Sequence, residues 1–121
     1  SYVALALQTK CYAVNAWSSR ANARGQMLQT VDRISGQIEA SKTYIGPDLK
    51  LVVLPEYFLS GFPMGESFKE WQNKACIEMD GEVYAALKAA ASTNQVYLSG
   101  NVYELDPNFP ELYFQASFII S

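Results

Sequence analysis

An α/β domain built on parallel strands is the fold class this sequence predicts, and three observations predict it. Short apolar runs that read as strands occur at residues 2–9, 51–54 and 96–103; the first, without helix-end signals, suits a strand buried on both faces. Between the first two, Met27, Leu28, Val31, Ile34 and Ile38 recur at helical spacing, as in a helix that lays one stripe on a sheet. The second run ends in Pro55-Glu56, setting a carboxylate at the carboxyl end of a strand, where open α/β sheets form their ligand crevice.

Taken in order, residues 2–9 read as a first, central strand. The polar stretch from Asn15 to Asn22 follows, with Ser18, Ser19 or Asn22 as candidate caps for the next helix. That helix is amphipathic over about five turns, with Arg24, Asp32, Arg33 and Glu39 on its other faces, and Gly46-Pro47-Asp48 stops it. Residues 51–54 form the second strand, giving β-α-β with a right-handed crossover. Residues 62–65 hold too much Pro and Gly for regular structure, and a short helix and a loop are expected around Phe68, Trp71 and Ile77. A second sheet-covering helix is expected over residues 82–93, with Val83, Leu87 and Ala90 or Ala91 on one face and Asn94 ending it in a left-handed turn. Residues 96–103 form a third strand, 106–111 a wide turn, and 113–120 a fourth strand antiparallel to the third.

Composition narrows the function. Of 121 residues, 50% are hydrophobic and 17% charged, the balance of a folded domain. An α/β sheet covered on both faces usually needs more chain than this, so residues 1–121 are expected to be one portion of a single domain. The net charge is −3. Lys10, Arg20, Arg24, Arg33, Lys42 and Lys50 crowd the first half without aromatic interleaving, so they read as solvated helix faces and nucleic acid is not an expected partner. No apolar run reaches the roughly eighteen residues of a membrane span, and no signal-peptide pattern is present; a soluble, cytoplasmic protein is expected. There is no histidine, and the two cysteines, Cys11 and Cys76, lack metal-site spacing. Ser-His-Asp and Cys-His catalysis are therefore excluded within this chain, and no metal site is expected.

The order of elements, together with Leu51-Val52-Val53-Leu54-Pro55-Glu56, Gly61-Phe62-Pro63, the helix from Glu82, Tyr97-Leu98-Ser99-Gly100-Asn101-Val102-Tyr103-Glu104 and the strand Tyr113 to Ile120, resembles the N-terminal part of the nitrilase superfamily of carbon-nitrogen hydrolases. The resemblance spans nearly the whole chain. It implies an α-β-β-α sandwich, of which this chain covers about the first half, and a Glu-Lys-Cys triad in that order. Glu56 matches the triad's glutamate, the general base. A carboxylate enclosed away from water gains proton affinity and can work near neutral pH.

The resemblance places the triad's lysine and nucleophilic cysteine beyond the hairpin and outside this chain. Lys69, Lys74 and Lys88 precede the third strand and read as surface charges; Cys11 and Cys76 read as packing or incidental thiols. Tyr57 and Phe62 are candidate substrate-binding residues that wall the acyl pocket, with core packing as their alternative. Trp71 supports neither a pocket rim nor a subunit contact. Gln115, where many relatives show Asn, reads as structural. The expected function is amidase-type hydrolysis of a small amide or N-carbamoyl compound without a cofactor, in a homodimer or larger homo-oligomer. Nitrile hydrolysis or acyl transfer by the same triad, and a non-catalytic α/β module binding a ligand or partner, are the alternatives.

Overall fold

The Ser19 hydroxyl accepts the Asn22 N–H at 3.1 Å and caps α1, Arg20–Ile45, the longest element of the computed structural model, which describes residues 1–121. At 26 residues α1 outruns the five turns expected from its apolar stripe, because its first turns are anchored by polar contacts. Contrary to its expected place on a solvated face, Arg24 is buried, and its guanidinium donates to the Cys76 carbonyl at 3.0 Å. Arg20 reaches the Asn73 carbonyl and the Glu78 carboxylate nearby. Gly46, at φ 110°, ends the helix with its N–H on the Lys42 carbonyl.

The remaining elements are β1 (Val3–Ala6), β2 (Leu49–Val53), α2 (Phe68–Ala75), β3 (Ile77–Glu78), α3 (Glu82–Asn94), β4 (Tyr97–Leu105) and β5 (Phe114–Ile120). β1 is short, lies at the sheet edge beside β2 and is largely exposed, which corrects the reading of residues 2–9 as a central strand: apolar composition does not report whether neighbours cover both faces. β3, two residues long, was not expected. The left-handed residue after α3 is Gln95 (φ 53°), not Asn94. Asn94 stays helical because its side-chain amide donates to the Ala90 carbonyl at 2.8 Å and to Ser35 Oγ at 3.0 Å, tying α3 to α1.

β1 pairs with β2, and β2 with the start of β4, both in parallel. β5 runs antiparallel to β4 from Leu98 to Glu104, and β3 pairs with Glu104 and Leu105 of β4. A strand has two edges, so β2 and β3 share the edge of β4 opposite β5, with a gap between them. The two long helices pack together over one face of the sheet. There Met27, Ile34 and Ile38 of α1 and Leu87 and Ala91 of α3 join Val52, Leu98 and Val102 in one apolar core. The alternate residues Val53, Tyr97 and Ile119 point to the other face and are exposed, so this chain supplies one helix layer and one sheet layer. No helix is long and apolar enough to cross a membrane.

Candidate active site

The Leu54 N–H carries the parallel ladder one step past β2 onto the Ser99 carbonyl at 2.8 Å, and Pro55, lacking an N–H, stops it. The chain then folds through a turn that fills the gap between β2 and β3, with Phe58 N–H on the Pro55 carbonyl and Gly61 N–H on the Tyr57 carbonyl. Tyr57 sits at φ 60°, a left-handed conformation that a bulky side chain seldom adopts. Three neighbours hold it there. Its N–H donates to Asn101 Oδ1 at 3.4 Å, its carbonyl accepts the Cys11 thiol at 3.1 Å, and its ring stacks on Tyr103 with centroids 6.1 Å apart.

Glu56, between Pro55 and this strained residue, is exposed. Its Oε1 accepts a hydrogen bond from Gln115 Nε2 at 3.1 Å, and no lysine or arginine forms an ion pair with it. The enclosure expected for this carboxylate is thus not built by residues 1–121. Tyr57 is half-buried, and its ring lies 5.5 Å from that of Phe62, which is half-exposed. Both expected pocket residues therefore adjoin Glu56's turn. Trp71 is fully buried, edge-on to Tyr103 at 5.5 Å; it belongs to the core.

The segment after the turn is pinned by a cluster that the sequence reading missed. Glu66 Oε2 accepts from Asn15 Nδ2 at 2.7 Å and faces Lys74 Nζ at 3.8 Å, while Glu66 Oε1 accepts the Met64 N–H at 2.8 Å. Lys74 also donates to the Asn15 carbonyl at 3.1 Å. At 8% exposure Lys74 is not the surface charge it was read as; its partners come from two other segments, which a local pattern does not reveal. Burial works to raise the Glu66 carboxyl, but the backbone N–H groups of Met64 and Glu66, the Asn15 amide and Lys74 outweigh it and hold the carboxyl below the usual range.

The sequence matches the carbon-nitrogen hydrolase family over residues 4–121. This chain belongs to that family. Among solved structures it is similar to Nit3 of Saccharomyces cerevisiae, a member of branch 10 of the nitrilase superfamily, at 25% identity and a TM-score of 0.62, covering 79% of this chain and 35% of Nit3. It is similar in fold to an N-terminal amidase, at 18% identity and a TM-score of 0.62, covering 80% of this chain and 22% of that protein. The chain thus spans about a third and about a fifth of these two proteins. No curated protein matches it. The family's α/β architecture is the one described above.

Within this carbon-nitrogen hydrolase chain neither cysteine has the surroundings of a nucleophile. Burial pushes the Cys76 thiol up to about 12, against the pull of Arg20 and Arg24. Desolvation likewise raises Cys11, opposed by the Gly61 N–H and Arg33. No three His, Cys, Asp or Glu side chains converge as a metal site would require. A cavity of ≈ 820 Å³ lies between α2, β3 and the β4–β5 turn; Arg20, Glu78, Met79 and Phe109 line it and Glu56 does not.

Proposed function

We propose that this chain carries the general base of an amidase-type carbon-nitrogen hydrolase, acting on a small amide or N-carbamoyl compound. The observation that carries the reading is the position of Glu56: at the carboxyl end of β2, accessible, and held by a β5 side chain, in a chain that matches the family from residue 4 to 121. In this reading Glu56 takes the proton from a cysteine thiol. The thiolate attacks the carbonyl, and the proton passes to the leaving ammonia or amine as the acyl-enzyme forms. Water, deprotonated by the same carboxylate, then releases the acid. A lysine and a backbone N–H stabilise the oxyanion.

The lysine and cysteine lie outside residues 1–121 in this proposal, since Lys74 is engaged by Glu66 and both cysteines present have raised thiols. Tyr57 and Phe62 wall the acyl pocket. No cofactor takes part, and assembly as a cytoplasmic homodimer or larger homo-oligomer belongs to the same reading. The test is ammonia release by the intact protein from a panel of short aliphatic amides and N-carbamoyl amino acids. Wild-type protein is expected to release ammonia and Glu56→Gln to lose at least about a hundredfold in kcat with its fold intact by circular dichroism. Full turnover in Glu56→Gln returns the carboxylate to a structural role.

A further inference from the structure

We infer that Gln115 is the positioning residue for Glu56, fixing Oε1 so that Oε2 is the oxygen left to take the proton; the inference rests on Glu56 being the general base. Sheet register places Gln115 there. It pairs across the hairpin with Tyr103, and Asn101, two residues back along β4, pairs with Ser117. Side chains two apart on a strand share a face, so Asn101, Tyr103, Gln115 and Ser117 look the same way. Glu56's turn arrives on that face and is met twice: Asn101 Oδ1 accepts the N–H of Tyr57, and Gln115 Nε2 donates to the Glu56 carboxylate. The hairpin thus holds the backbone just after Glu56 and one oxygen of its side chain.

One physical consequence makes this more than a surface contact. A strand-borne amide is already oriented when the charge on the carboxylate changes, unlike a water molecule, which must reorganise. A one-residue slip of β5 would turn Gln115 to the helix face and abolish the effect. No lysine or arginine forms an ion pair with Glu56, so the Gln115 amide is the one side-chain donor that orients it.

The test compares Gln115→Met, which keeps length without a donor, and Gln115→Glu, which sets a second carboxylate against the first. Both variants are assayed on the intact protein for ammonia release from the short aliphatic amides, beside Glu56→Gln and with melting temperatures recorded. Gln115→Met is expected to lower kcat by about tenfold with KM within about twofold, and Gln115→Glu to lower kcat further. An unchanged kcat in Gln115→Met overturns the inference, as does a variant that lowers only the melting temperature. If Glu56→Gln is inactive while Gln115→Met behaves as wild type, the inference alone falls; if Glu56→Gln retains turnover, the general-base reading falls with it.

Discussion

Gly61 closes the turn that begins at Pro55, and nothing larger fits there. Its φ of 76° is left-handed, and a Cβ built on it would lie 2.8 Å from the Ala13 Cβ. Gly61→Ala is therefore expected to cost about 1–2 kcal/mol of backbone strain and about 1–3 kcal/mol of overpacking, measured by urea unfolding. Adding Ala13→Gly should recover only the second part; full recovery would show that the backbone conformation carries no cost. Tyr57, four residues earlier, pays the left-handed cost with a full side chain in place, and its hydrogen bonds with Asn101 and Cys11 and its ring contacts with Tyr103 and Phe62 offset it. Strain of this kind persists where the surroundings over-determine the backbone, and it clusters at functional sites.

At the scale of elements, the Glu66–Lys74–Asn15 cluster joins three segments: the loop after the turn, α2, and the stretch leading into α1. Its carboxyl is held lower in the folded chain than in the unfolded one. Such a group adds stability that is complete above its unfolded value, about pH 4.3, and is lost as pH falls through the folded value. Glu66→Gln, which leaves Lys74 without its counter-charge, should lower stability by about 2–3 kcal/mol at pH 7. The gap to wild type should narrow below about pH 4; stability curves that stay parallel with pH would refute the coupling. The two long helices, β2, the β4–β5 hairpin and the place of Glu56 at a strand end were legible because each rests on local signals: apolar period, capping serine, stopping Gly-Pro, a strand-end acid. Arg24 and Lys74 were misread because a charged residue looks solvated until distant partners are known. β3 was missed because two residues make no pattern, and Gln115's contact because it depends on the register of two strands and the path of a third segment.

At the scale of the molecule, one sheet face is covered by α1 and α3, and the other shows Val53, Tyr97 and Ile119 to solvent. Glu56 and its supports on β4 and β5 look out on that open side. The pairings that assemble this arrangement differ greatly in the chain they must close. Leu51 has to find Tyr97 across α1's successor segments, whereas Glu104 meets Phe114 through a single wide turn. Closing short loops is fast and non-local parallel pairing is slow, so the β4–β5 hairpin is expected to form first during refolding, with β2, carrying Pro55-Glu56, docking onto it afterwards. Pulse-labelled hydrogen exchange is expected to protect β4 and β5 amides before those of β1 and β2; simultaneous protection would argue for a single concerted step. That order would make Glu56, the proposed general base, the late arrival, and Asn101 and Gln115 the fixed frame that receives it.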